Sequence, residues 1–270
     1  MYLLKEDRVK SMNIRNQIKL RIGSLALPLV LFIVWQFIAS QGYILAMILP
    51  SPATVFNTLI TNITQHDLLL HVAASLKRVI VGFLVGTVSG FALGLFMGLS
   101  RTAEKIFAPT FHVIRQVPVI GWIPLIVMWF AIAEVPQIII ISLAAFYPMT
   151  LNTFAGVRNV RKEYLELASV NGYKGIKLIR KIIVPSALPS IITGATLSLG
   201  MSWGIMMAAE FFIDTSYGIG TRIQAGRSSF NMALVLVGIF TIGLIGYVLT
   251  VIIETLGRVV NQGRDVNKEI

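Results

Sequence analysis

The sequence predicts an all-α fold: an integral membrane helical bundle of about six transmembrane helices. Three observations carry that prediction. First, 56% of the 270 residues are hydrophobic and 13% are charged, with a mean hydropathy of +0.79; soluble domains run to roughly 45–50% apolar and about 25% charged. Second, apolar runs at 22–40, 79–99, 119–132, 137–155, 190–212 and 231–253 alternate with polar or basic stretches, and most are long enough to cross a bilayer as helices. Third, six crossings put both termini on one side, which then holds 19 of the basic residues against four on the other. That excess predicts that the first side is cytoplasmic. The net charge of +11 lies between apolar runs and not on one soluble face, so membrane orientation accounts for it and no nucleic-acid partner is expected. With no cysteine, disulfides, thiolate metal sites and cysteine nucleophiles are excluded.

In chain order, residues 1–21 are polar and carry six basic side chains ahead of the run 22–40. A basic lead, an apolar core and Ala39-Ser40 also describe a secretory signal. The run of ~18 residues is nearer a span than a signal core of about 7–15, so an uncleaved first span is expected. Pro50-Ser51-Pro52 and the weak pattern Val55, Leu59, Ile63 read as an interfacial segment, closing an N-terminal region of residues 1–70. His66 and His71 are five apart, which is not metal-ligand spacing on one helical face, so no metal site is expected.

A core domain is expected over 71–258. Its first span, 79–99, carries Gly82, Gly86, Gly90, Gly94 and Gly98, one every fourth residue; such a row lets two backbones approach closely in lipid, which makes helix packing its expected role. Arg101 and Lys105 mark a short loop, 107–117 an interfacial piece, and Glu134 with Pro136 a turn between the next two spans. The span 137–155 is expected to kink at Pro148, and its Asn152 and Thr153 must find partners or face a cavity. The span 190–212 is rich in small and hydroxyl residues and belongs inside the bundle. Ser198, Ser202, Trp203, Met206 and Met207 are its candidates to line or gate a path. Glu210, the most deeply embedded acid, is read either as paired with Arg222 or Arg227 or as a gating group. A polar tail, 259–270, follows the last span and is expected on the cytoplasmic side.

Between the fourth and fifth spans lies 162–189, KEYLELASVNGYKGIKLIRKIIVPSALP, too charged to cross a bilayer and too patterned for a slack loop. Leu165, Ala168 and Gly172 share one helical face. Gly172 fits the left-handed residue that ends a helix. Ile176, Ile179 and Ile183 form an apolar stripe beside a basic one of Lys174, Lys177 and Lys181, and Pro185 and Pro189 mark where the second helix should stop. Two short helices broken at a glycine, on the wet side of a membrane protein, make a docking platform.

Glu166-Leu167-Ala168, three residues, Gly172, nine residues and then Ile182-Ile183-Val184-Pro185 resembles the EAA loop of ABC importer permeases, whose pattern is EAA, three residues, G, nine residues, I-x-L-P. Leu167 replaces the second alanine and Val184 the leucine. The stretch 118–160 resembles the nitrate/sulfonate/taurine group of those permeases, with Ala131 and Ala133 where the group usually has glycine. The likeness covers roughly 70–258. It implies a type I ABC importer permease fold with the loop 161–189 gripping a separate ATPase subunit, through Glu166, Leu167, Ala168, Gly172, Ile182 and Pro185. It further implies that ATP and Mg are bound by that subunit, that two permease copies pair about a two-fold axis in the cell membrane, and that an extracytoplasmic binding protein delivers the solute. A small oxyanion such as an aliphatic sulfonate, taurine or nitrate leads; bicarbonate, thiamine precursors and riboflavin stay open.

The residues themselves contain no GxxxxGKS or GxxxxGKT phosphate loop, no HExxH, no GxSxG and no paired intramembrane carboxylates, so neither an ATPase nor a membrane hydrolase has its parts. A secondary transporter would want midplane ionisable groups and internal repeats, and neither is visible.

Overall fold

The computed structural model describes residues 26–42, 44, 45, 47–65, 67–130, 134–213 and 215–265, with side chains at 256 and 258–265 excepted. The basic N-terminal lead and the start of the first span, His66, Ala131, Ala133 and residues 266–270 of the tail lie outside the described residues.

The regular structure among the described residues is helical throughout. Helix α1 spans Ala26–Ser40. Helix α2, Pro52–Gln65, begins on a proline whose missing N–H is no loss in a first turn, and Ser51 accepts from the amide of Thr54 at 3.2 Å. Of the Val55, Leu59, Ile63 pattern, Val55 is buried against Leu68, Ala233 and Val237 and Leu59 packs beside it, whereas Ile63 is exposed. Helix α3, Leu68–Leu99, starts 11 residues before the predicted 79. Lys77 and Arg78 interrupt the apolar run, yet both meet carboxylates from other parts of the chain, so they do not end the helix.

The expected short loop at Arg101 and Lys105 is instead helix α4, Arg101–Ile114. Ser100 caps it, accepting from the amide of Ala103 at 3.2 Å, and Glu104 sits in the first turn where the helix dipole favours an acid. Helix α5, Ile123–Trp129, follows a 3-10 turn over Val119–Trp122. The predicted third span, 119–132, is therefore corrected: the helical piece Val119–Trp129 is too short to cross alone, and it meets α4 at a bend of 86°.

Helix α6, Val135–Arg158, runs through Pro148, and Asn152 Nδ2 donates to the Pro148 carbonyl at 2.8 Å, so its amide is satisfied within the helix. Helices α7, Lys162–Val170, and α8, Gly175–Leu178, are short. A π-helical turn over Ile179–Ile183 joins α8 to α9, Val184–Phe212. Helix α10, Ile219–Ser228, and helix α11, Met232–Asp265, complete the chain.

Helix α6 lies between α3 and α9. Along α3 the glycine row faces it directly: a Cβ on Gly82 would lie 2.5 Å from Ile141 Cγ2, on Gly90 2.7 Å from the Phe146 carbonyl, on Gly94 2.5 Å from the Thr150 carbonyl and on Gly98 2.7 Å from Val157. Gly86 sits likewise against the Ser142 carbonyl. Contacts rise together along both helices, so they run parallel, and α4 and α5 carry the chain back between them. On the other side α9 runs antiparallel, with Gly156 against Ser190 and Gly194 against Asn152. Helix α11 returns antiparallel to α9, where Trp203 Nε1 donates to the Ile242 carbonyl at 3.2 Å and Gly246 makes room for the indole. Helix α1 leans on α11 through Trp35, stacked on Phe240 at 6.0 Å.

Among the described residues four helices are long and apolar enough to cross a membrane: Leu68–Leu99, Val135–Arg158, Gly175–Phe212 and Met232–Thr255. The bent α4–α5 pair makes a fifth if it counts as one crossing, and the described part of α1 is apolar but shorter. Among the described residues these elements fall on the six predicted runs, and the bent α4–α5 pair takes a form the sequence did not suggest.

Candidate functional site

The loop between α6 and α9 keeps the form its sequence predicts as far as Gly172. That residue has φ of 71° and nothing within 4 Å of a notional Cβ. The amide of Tyr173 bonds the Ala168 carbonyl at 2.8 Å and that of Gly172 bonds Ser169 at 3.0 Å. These are the two bonds of a Schellman motif, which requires a left-handed residue at Gly172. Gly175 is a second left-handed glycine, φ 54°, which spacing alone did not mark. Between them the chain turns a corner over Tyr173, whose ring is covered by the ammonium groups of Lys177 at 4.8 Å and Lys181 at 5.9 Å.

The second short helix does not stop at Pro185 as expected. A proline ring clashes with the carbonyl four residues back in a regular α-helix, here that of Lys181. The π turn shifts the ladder, with the amide of Val184 reaching five residues back to Ile179, and the helix continues. As a result both halves of the motif meet. Leu167 and Ala168 from α7, Ile182 from the π turn and Pro185 from the start of α9 line one groove of about 550 Å³. Ala168 is buried at its floor. Glu166 is exposed and forms no ion pair with a described residue. Leu167, Val170 and Ile176 are 61%, 86% and 70% exposed. Three bare apolar side chains on a loop full of lysine leave a surface ready to be covered.

At the other end of the bundle is a buried ionic cluster. Glu210 is 2% exposed and its Oε1 accepts from Arg78 Nη1 at 2.8 Å and from Ser75 Oγ at 2.7 Å. Its Oε2 accepts from the amide of Gly220 at 2.9 Å. Arg78, equally buried, also donates from Nη2 to Glu134 Oε1 at 3.2 Å, and Lys77 Nζ donates to Glu134 Oε2 at 3.1 Å. The Lys77 hydrogen bond, aided by the charges of Arg78 and Lys77, outweighs partial burial and holds the Glu134 carboxyl below its ordinary range. Ser75 Oγ accepts from the amide of Ile219 at 3.0 Å, and His71 Nδ1 lies 3.0 Å from the Gly218 amide. A Cβ on Gly218 would be 2.6 Å from Glu210 Cδ and one on Gly220 2.7 Å from Glu210 Cβ, so both positions need glycine. Two carboxylates and two cations balance, and they tie α3, the start of α6, the end of α9 and the turn before α10 together.

The expected partners of Glu210 are corrected by this geometry. Arg222 instead donates to Asn62 Oδ1, from Nη2 at 2.6 Å and Nε at 3.1 Å, and Arg227 lies over the Phe211 ring at 5.5 Å. The acid is paired, with Arg78. His71, Ser75 and Arg78 recur at i, i+4 and i+7 on an otherwise apolar helix, which is the sequence signal that would have found them.

The pathway candidates on α9 fall on two faces. Ser198 and Ser202 are fully buried, donating to the Ala145 carbonyl at 2.7 Å and the Ile141 carbonyl at 3.4 Å of α6. Met206 is fully buried and Trp203 nearly so, in one core with Val79, Ile141, Ile219 and Ile223; Met207 is half-buried. The open face of α9 carries Leu197, Gly200, Met201 and Gly204.

Residues 82–266, most of the chain and all of this architecture from the glycine row onward, match the family described as binding-protein-dependent transport system inner membrane component. The chain belongs to that family. Among its relatives, SsuC of Bacillus subtilis strain 168, named for aliphatic sulfonates transport, is 35% identical over 87% of this chain and 84% of its own length. The taurine transport system permease protein TauC of Escherichia coli K12 is 34% identical over 90% and 89%. The nitrate import permease protein NrtB of Leptolyngbya laminosa is 32% identical over 70% and 68%. In three dimensions, a chain of the MetNI methionine ABC transporter in its inward-facing form superposes with a TM-score of 0.58, at 18% identity over 69% of this chain and 92% of that one. That similarity fixes the fold, the type I ABC importer permease. The chain is thus a multi-pass inner-membrane permease of the nitrate/sulfonate/taurine group.

Proposed function

We propose that this permease forms the translocation pathway of an ATP-driven importer for a small oxyanion, with an aliphatic sulfonate, taurine or nitrate as the solute. The observation that carries the coupling half of this reading is the bare groove in which Leu167 and Ala168 face Ile182 and Pro185, flanked by exposed Leu167, Val170 and Ile176. A separate ATPase subunit, holding ATP and Mg, docks there; the relatives' names support the solute class. The basic excess of 19 to four supports a cytoplasmic position for the loop 161–189 and both termini, with 71–258 taken as the transporting core. Two copies pair about a two-fold axis, and the open face of α9, with Leu197, Gly200, Met201 and Gly204, turns toward the path between them. An extracytoplasmic binding protein releases solute at the Glu210 end.

The test is co-purification of the ATPase subunit with this chain, followed by uptake measured with the cognate binding protein and labelled taurine, alkanesulfonate or nitrate. Stimulated ATP hydrolysis together with uptake of one of the three supports the proposal. Transport by this chain alone would overturn the coupling, and uptake restricted to bicarbonate, a thiamine precursor or riboflavin would overturn the solute class.

A further inference from the structure

Helices α1, α2, α3 and α11 enclose a crevice of about 880 Å³. Its walls come from Phe32 and Trp35 of α1, Leu59 of α2, Val72 of α3 and Phe240 and Leu244 of α11, among other apolar side chains. Just two of its lining side chains carry a polar atom, and both atoms are already engaged. Trp35 Nε1 donates to the Pro50 carbonyl at 3.1 Å, and Thr241 Oγ1 donates to the Val237 carbonyl at 2.7 Å. An ordered water needs about two to four polar partners, and the side chains here offer no free donor and only the acceptor lone pairs of Thr241 Oγ1. The space therefore takes an apolar occupant.

Its place in the bundle says which. Two of the walls, α3 and α11, belong to helices long and apolar enough to cross the membrane. The crevice is continuous with their outward surface, where Leu69 is 65% exposed, Phe240 55% and Leu244 67%. From Val237 to Ile245 it extends about 12 Å along α11 at 1.5 Å per residue, close to the ~15 Å of one leaflet's hydrocarbon, half of a core of ~30 Å. We infer that this crevice is a binding site for a phospholipid acyl chain, held between α1–α2 and the α3–α11 wall. Such a chain would add packing to α1 and α2, whose own contacts with the bundle include the small cluster of Val55, Leu68, Ala233 and Val237, the Asn62–Arg222 hydrogen bonds and the Trp35–Phe240 stack.

The experiment uses the complete transporter in vesicles of phosphatidylcholine brominated at mid-chain. Trp35 emission is taken as the difference between wild type and Trp35→Phe. The expected result is loss of most of that emission relative to unbrominated vesicles. Unchanged Trp35 emission, as when another protein segment or a second copy covers the crevice, overturns the site. A bound chain is separated from ordinary contact with bulk lipid by native mass spectrometry of the transporter in mild detergent. Ala53→Trp at the mouth and Leu59→Trp inside should each retain one phospholipid fewer per permease than wild type, whereas Val88→Trp, on the exposed side of α3, should retain the wild-type number. Equal retention by wild type and Ala53→Trp overturns the proposal; should both filled variants fail to fold, loss of every phospholipid from the wild-type permease in mild detergent overturns it instead.

Discussion

Glu210 draws its counter-charge from 132 residues away in the sequence, where Arg78 Nη1 reaches it at 2.8 Å. Both side chains are almost wholly buried. Breaking such a pair from one side strands the other charge and commonly costs ~3–5 kcal/mol, more than losing both together. Glu210→Gln should therefore lower thermal stability of the purified permease more than the Glu210→Gln, Arg78→Gln double variant does. Arg222, bound to Asn62, should be additive with Glu210 in the same double-mutant cycle. Strict additivity with Arg78 would show that the pair contributes nothing. The embedded acid was legible from its place in an apolar run, but its partner was not. Local reading favours cations in the next connection, and nothing in the chain order says that the first half of α3 and the end of α9 converge. The buried row His71, Ser75, Arg78 holds that information only as a pattern on one face.

Elements with strictly local causes were the legible ones. The glycine row names its own function because a four-residue repeat of glycine has one use in lipid, and α6 backbone fills the space it leaves. Helix α4 escaped because Arg101 and Lys105 resemble loop residues until Ser100 is seen capping them. The start of α3 and the bend of 86° between α4 and α5 escaped because both depend on what packs against them. The packing of the row can be measured. Gly90→Leu would put a Cβ 2.7 Å from the Phe146 carbonyl and 3.0 Å from Met149 Cβ. Neither backbone nor a packed methionine can yield cheaply, so a loss of about 1–3 kcal/mol or more follows from overpacking. Val88→Leu, 67% exposed on the same helix, should leave thermal stability and yield near wild type. Equal yields for the two variants would show that the row does not hold α3 to α6.

Across the whole molecule one helical rod joins the two ends. Gly175–Phe212 is 38 residues, about 57 Å at 1.5 Å per residue. It begins at the groove, with Ile182 and Pro185, and ends at the cluster, with Glu210. A displacement of the loop is therefore a displacement of α9 against α6, on which Ser198 and Ser202 are hydrogen-bonded. The weak place in this linkage is the corner at Gly172, where two Schellman bonds set the direction in which α7 meets the rest of the loop. Gly172→Val meets no neighbour within 4 Å, so its effect is confined to the backbone. A residue with a Cβ pays roughly 1–2 kcal/mol in the left-handed region, and a β-branched one is a genuine outlier there. The corner should relax out of φ 71° and swing α7 away from Pro185. Membrane level and thermal stability should stay near normal, because the loop lies outside the packed bundle, while ATPase association and uptake fall. Gly172→Asn, which tolerates the left-handed conformation better, should recover most of both. A Gly172→Val permease that still associates with its ATPase and transports would mean that the corner does not orient the docking surface.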